Sequence, residues 1–223
     1  MAKQEIKPLP SQPIGDSGRI LVPVICPTRE YQGAPAQSIA TIWNALWCLN
    51  REPAYVQAGA HGYAFVRNST MQQLKKTWNK EVLRCLLIDD DIMITQQEAL
   101  MEAILMADRW GWNFVSPYRV KDGKVTICHA NGVMMTQDEY LKITSWDIVE
   151  NAGLGFYYGD VPLDYVFHEG GKHAGEDLNF FADNPWIKPR FVDLGLIHLK
   201  VMPLGLHEKM DVHDIPGTVR EAA

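Results

Sequence analysis

Three consecutive aspartates, Asp89, Asp90 and Asp91, close a near-continuous apolar run in the segment VLRCLLIDDDIMIT at 82–95. Adjacent carboxylates repel one another. Holding three of them beside a core has no stabilising value unless a hard cation or a set of donors offsets that repulsion. A divalent metal is the first candidate, and an acidic turn facing water is the alternative. Two arginines, Arg29 in Pro27-Thr28-Arg29 and Arg67 before Asn68, could serve such a site. A planar guanidinium suits phosphate and carboxylate oxygens alike, so either could bind an anionic ligand or position the acidic cluster, and surface solvation is the plain alternative. Glu176-Asp177 and His198 are the other residues with chemical potential. Acidic residues in a first helical turn complement the helix dipole without any chemistry, and a lone histidine after an apolar run is by default an ordinary core or surface residue.

The elements that must hold these residues follow from periodicity. Val82 to Ile88 has the length and apolar density of a strand buried on both faces, as in a parallel sheet. In open α/β sheets ligands bind beyond the carboxyl ends of such strands, which is where the aspartates fall. Ile20 to Cys26 reads as a first strand, its paired part starting near Val24 because Pro23 lacks a ladder donor. Pro27-Thr28-Arg29 forms its exit loop. Ile39, Ile42, Trp43, Leu46 and Trp47 recur at helical spacing and predict a helix over 38–50. A short strand over 54–56 precedes a glycine-containing link at 59–62. Ser69 with Gln72 has capping-box spacing, so Arg67 is expected just before a helix whose apolar face is Met71, Leu74 and Trp78. Thr95 with Glu98 repeats that spacing ahead of Leu100, Ala103, Ile104 and Ala107, for a helix to about Trp110.

Thereafter antiparallel strands are expected. Asn113 to Pro117 is strand-like, and Asp122-Gly123 is a tight-hairpin dipeptide. Gly153 to Tyr158 (GLGFYY) is apolar, with glycines that admit close backbone approach. Gly175-Glu176-Asp177 starts a short helix through Phe181, Phe191-Val192 is strand-like, and the ordered core ends near Asp193 to His198.

The chain has 223 residues, 47% of them hydrophobic, enough to bury a sizeable core in one domain. A net charge of −6 offers no broad basic surface, so general nucleic-acid binding is not expected. The four cysteines are dispersed without a C-x-x-C pair, which fits a reduced, cytoplasmic setting. No run of about 18 apolar residues occurs, so no transmembrane segment is expected. The polar, proline-rich start is not a signal sequence and reads as a loose arm over 1–19.

Taken in order, Pro27-Thr28-Arg29, Arg67-Asn68, Asp89-Asp90-Asp91, the GLGF segment, Glu176-Asp177 and the late His198 resemble the GT-A fold of nucleotide-sugar-dependent glycosyltransferases, in particular small single-domain members. The resemblance covers about 22–200. It implies an α/β fold with a mixed, mostly parallel central sheet flanked by helices: a catalytic domain over 20–200 and a C-terminal extension over 201–223. It also implies transfer of a sugar from a UDP- or GDP-linked donor to an acceptor the sequence does not identify, with Mn²⁺ or Mg²⁺ as cofactor.

The resemblance further implies individual roles. Asp91 would be the direct metal ligand and Asp89 a contact to the ribose or to the metal through water, with Asp90, Pro27, Thr28, Arg29 and Arg67 on the donor side. His198 would complete the metal or diphosphate site, since a neutral imidazole ligates Mn²⁺ without adding negative charge beside a diphosphate. Asp177 would be the base of an inverting transfer with Glu176 beside it; in a retaining enzyme the pair would orient the acceptor. Lys200 is a further phosphate candidate. The segment 55–62 lacks the aspartate that many such enzymes use to read the base.

Other functions fit less well. A nucleotidyltransferase acting on a sugar phosphate would share the fold but usually carries a glycine-rich loop where this chain has CPTRE. A noncatalytic carbohydrate-binding module of the same fold would not need Asp91, Asp177 and His198. Gly153-x-Gly155 lacks the third glycine of a dinucleotide fingerprint, and His168-Glu169 with His173 misses zinc-protease spacing by one residue. Ile92-Met93 replaces the Gly-Thr of a dehalogenase-type phosphatase loop. The many tryptophans and Phe180-Phe181 read as core, with Trp146 and Trp186, near the acceptor half, as the sugar-stacking candidates.

Overall fold

In the computed structural model, which describes residues 12–28, 35–59, 63–78, 81–120, 124–170 and 175–199, the chain alternates strands and helices through its first half and then turns to short strands. In order these are β1 (Ile20–Thr28), α1 (Ala36–Cys48), β2 (Arg51–Gly59), α2 (Tyr63–Trp78), β3 (Val82–Ile88), β4 (Ile92–Met93), α3 (Gln97–Trp110) and β5 (Asn113–Val115). There follow β6 (Ile127–Cys128), α4 (Gln137–Tyr140), β7 (Asn151–Ala152), β8 (Phe156–Pro162), α5 (Glu176–Asp183), β9 (Pro189–Phe191) and β10 (Ile197–His198).

The central sheet has six strands in the order β2-β1-β3-β8-β5-β9. Parallel pairing joins β1 to β2 and β3, and β5 to β9, while β8 runs antiparallel to both of its neighbours. The protein is therefore α/β with a mixed, mostly parallel sheet flanked by helices. Burial on both faces explains the apolar character of β3. Leu83, Cys85 and Leu87 enter one core cluster with Met71 and Leu74 of α2 and Phe180 and Phe181 of α5. Leu86 and Ile88 enter the other, with Ile42, Ala45 and Leu46 of α1 and Leu100, Ala103, Ile104 and Ala107 of α3. Alternation along one strand thus divides the core into two layers.

Arg84 breaks this pattern. It is buried, its Nε donating to Asp160 at 3.0 Å and its Nη1 to Asp108 at 3.2 Å. Asp108 also accepts from Arg51 at 3.0 Å and from the Tyr158 hydroxyl at 2.9 Å. Burial works to lower the Arg84 guanidinium, but the surrounding oxygens, Tyr158 first, hold it above its ordinary range. This paired network ties α3, β2 and β8 to the amino-terminal end of β3.

Several boundaries differ from the sequence reading. The ladder between β1 and β2 runs from Ile20↔Arg51 to Thr28↔Gly59, through Pro23↔Ala54; only the ladder to β3 begins at Val24. Helix α2 starts at Tyr63, so Ser69 lies inside it and no cap forms there. Helix α3 has Gln96 at its N-cap without a side-chain cap bond, in place of Thr95 with Glu98. The Asp122-Gly123 turn lies outside the described residues, but Arg119↔Val125 pair antiparallel on either side of it. Of the N-terminal arm, 1–11 lie outside them as well; within 12–19, the Gln12 side chain accepts from Arg84 N at 3.2 Å, and Leu21 N donates to Pro13 O at 2.8 Å. The C-terminal extension lies outside them too. No helix among the described residues is long and apolar enough to cross a membrane.

Candidate functional site

Where β3 ends, the chain turns sharply, and Asp89 and Asp91 point to different partners. Ile92 N donates back to Asp89 O at 3.3 Å, and Asp89 N donates across to Gly155 O at 3.0 Å. Strand β4 then pairs antiparallel with β10, in the register Ile197↔Met93 and His198↔Ile92. Ser38, expected to open a helix, lies inside α1 and clamps this segment. Its buried hydroxyl donates to Ile92 O at 2.8 Å and accepts from Ile94 N at 3.0 Å. The backbone on either side of Asp91 is therefore fixed by three elements: α1, β3 and β10.

Arg67 organises the first half of the acidic group. It lies within α2, only 1% exposed, and reaches three carboxylates. Its Nη1 donates to Asp177 Oδ1 at 2.6 Å and Glu176 Oε1 at 3.0 Å, and its Nη2 to Asp89 Oδ1 at 3.2 Å. Burial works to lower this guanidinium, but the carboxylates, Asp177 foremost, outweigh it and raise it above its ordinary range. Burial pushes the Asp89 carboxyl up to about 7 against the pull of Arg67, with Asp177, Asp91 and Asp90 adding to the rise. Glu176 is raised by burial and then by Asp177, with Arg67 opposing. One cation faces three carboxylates here, with Asp90 buried nearby in the sequence. Asn68 anchors the next stretch of chain: it donates to Phe167 O at 2.8 Å and accepts from Phe167 N at 2.7 Å.

Asp91 points elsewhere. His198 Nε2 lies 2.9 Å from Asp91 Oδ2, and Leu199 N donates to Asp91 O at 2.6 Å. The Tyr118 ring packs against the imidazole with centroids 5.0 Å apart. Tyr118 can lie there because residue 155 has no side chain: a Cβ on Gly155 would fall 2.5 Å from the Tyr118 ring and hydroxyl. The close approach expected of the GLGF glycines is thus realised at Gly155. Gly153 does a related service, since a Cβ there would sit 3.3 Å from Thr126 Cβ and 3.6 Å from Asp177 Oδ2.

A divalent cation can be tested against this donor set. Among the described residues no group of three or more His, Cys, Asp and Glu is disposed to hold a metal. Mg²⁺-type ions in phosphate-handling sites, however, are bound by one or two protein ligands, with substrate phosphates and water supplying the rest. Two neighbouring ligands in an octahedron with bonds of about 2.1 Å lie about 3 Å apart. The 2.9 Å between Asp91 Oδ2 and His198 Nε2 matches that separation. As it stands the contact is a hydrogen bond; a cation held by both atoms would take the place of the shared proton, and the carboxylate and imidazole would then be two ligands of a site that substrate oxygens complete. Asp89 is tied to Arg67 through its Oδ1, which leaves Oδ2 as the oxygen that could face a cation.

Glu176 and Asp177 form the first turn of α5, behind Gly175 at φ 135°. Among the described residues no donor meets Asp177 Oδ2, and the Asp177 side chain is 29% exposed. Pro27 is buried and β1 ends at Thr28; Arg29 and Lys200 lie outside the described residues. Trp146 packs against Trp112 and Phe114, and Trp186 is exposed. Sequence reasoning missed Ser38 and Tyr118 as parts of this site. Only Tyr118 carried a signal, as an aromatic residue closely following a predicted strand. His198 also borders a cavity of ≈ 400 Å³.

No protein-family model matches the chain, and no curated protein matches it in sequence.

Proposed function

We propose that the chain is a GT-A-type glycosyltransferase that moves a sugar from a UDP- or GDP-linked donor to an acceptor, with Mn²⁺ or Mg²⁺ held by Asp91 and His198. The observation that carries this reading is the adjacency of Asp91 and His198 at the carboxyl end of β3, beside an acidic pair held by Arg67. A sheet in which β8 alone runs against five parallel strands agrees with the mixed architecture the resemblance implies.

A cation bound there would supply positive charge against the diphosphate leaving group. Asp91 holds its position because the backbone around it is pinned by Ser38 and by β10, so little reorganisation accompanies binding. Arg67 keeps Asp89 at the end of β3, where it can meet the ribose, and fixes Asp177 by one oxygen. The other oxygen, Oδ2, is directed toward Gly153 and can accept the proton of an acceptor hydroxyl. Glu176 is the less exposed member of the pair, and its role is to share Arg67.

A donor screen tests this reading. Nucleotide release from UDP- and GDP-sugars in the presence of Mn²⁺, suppressed by chelator, is the expected result. Release of pyrophosphate from a nucleoside triphosphate and a sugar phosphate would instead identify a nucleotidyltransferase. No release of either kind would leave a binding module.

A further inference from the structure

The cavity beside His198 has a composition that the donor site does not account for. Its ≈ 400 Å³ falls within the range of about 300 to 1,000 Å³ usual for ligand sites. Its walls come from chain beyond α3, and none of its lining residues belongs to β1, β2, α2 or the aspartate triplet. His198 is the one residue it shares with the proposed cation pair. A ligand in this cavity would meet the donor at His198.

Its polar groups are few and fixed. Tyr140 donates to Asp193 Oδ2 at 2.7 Å, and Asp193 Oδ1 accepts from Gly195 N at 2.8 Å. The Tyr140 ring is seated edge-on against Phe191 with centroids 5.4 Å apart. A carboxylate has about four acceptor positions, so Asp193 retains capacity for the hydroxyls of a ligand. Leu141 and the Tyr140 ring offer apolar surface for the C–H face of a sugar ring. Arg119 is the only arginine or lysine lining the cavity, and it has no ion-pair partner among the described residues. Its backbone is held by the Arg119↔Val125 bridge and by Val120 N donating to Lys124 O at 2.9 Å. Among the described residues Asp193 is the one carboxylate lining the cavity, it is engaged by Tyr140 and Gly195, and no ion pair joins it to Arg119, so this guanidinium is a fork for an external carboxylate or phosphate.

We infer that this cavity is an acceptor subsite for a sugar bearing an anionic group, with Arg119 binding the anion and Asp193 the hydroxyls. The word acceptor rests on the glycosyltransferase reading; the preference for an anionic sugar does not. The test therefore uses the full chain without nucleotide and in the presence of chelator. Binding of glucose, glucuronate and glucose 6-phosphate is measured by ligand-observed NMR titration. At least one anionic sugar is expected to bind about tenfold or more tightly than glucose, the equivalent of one charge-assisted contact. Comparing the two distinguishes a carboxylate from a phosphate as the natural anion. Arg119→Gln should reduce the preferred sugar to the level of glucose, and Arg119→Lys should restore part of the difference. Equal binding of all three sugars, absence of binding at millimolar concentration, or a preference unchanged in Arg119→Gln would overturn the inference. Failure of metal-dependent nucleotide release would contradict the transferase reading without altering these titrations.

Discussion

His198 Nε2 stands 2.9 Å from Asp91 Oδ2, although 107 residues separate them in the chain. Two very short strands create this contact. The pairing His198↔Ile92 sets the imidazole one residue beyond Asp91, and the Ser38 hydroxyl locks the same stretch from α1. On the proposed reading a cation would exchange for the proton shared by this pair, with the backbone on either side of Asp91 already set by β10 and Ser38.

Folding should depend strongly on Arg67. Removing one partner of a buried ionic group leaves the others uncompensated, at a cost of about 3–5 kcal/mol. The Asp177 side chain is 29% exposed, so solvent screens part of its share, and the lower end of that range is expected for Arg67→Met. Urea unfolding checks this. A loss below about 1 kcal/mol would place the cluster among ordinary surface ion pairs.

Asp177→Asn should leave metal and nucleotide binding nearly intact while lowering transfer by about 10²-fold or more, the range typical of losing a general base. Glu176→Gln should be milder, because Glu176 acts through Arg67. If Asp177→Asn lowers the melting temperature with normal specific activity, the residue serves the dipole of α5 and not the reaction.

The contrast between these residues shows what was legible in the sequence. β3 and the buried face of α3 were readable because unbroken apolar density and 3.6-residue spacing are local properties. The start of α2 was not, since Tyr63 to Val66 carries no capping residue and Ser69 imitates one. Ser38 resembled a helix start but is a clamp on β4, a role that exists only once distant chain is brought against α1. The aspartate triplet was visible as a cluster, yet its division into an Arg67-bound Asp89 and a His198-facing Asp91 depends on the turn at Ile92.

Gly155→Ala probes the seat of His198. A Cβ 2.5 Å from Tyr118 cannot be accommodated without moving the ring that packs on the imidazole. Overpacking of this kind costs about 1–3 kcal/mol. Metal-dependent nucleotide binding should weaken in the variant by more than in Tyr118→Phe, which keeps the ring in place. Equal, small effects would mean that Tyr118 does not position His198.

On the proposed reading Asp91 and His198 hold the cation on which nucleotide binding depends. Calorimetric titration with UDP and GDP, in Mn²⁺ and in chelator, checks this. At least one nucleotide should bind the wild-type chain about tenfold or more tightly with Mn²⁺. Asp91→Asn and His198→Asn should each remove most of that difference, with Asp90→Asn losing less. Equal affinity in Mn²⁺ and chelator, or equal losses across the three variants, would mean that Asp91 and His198 hold no such cation.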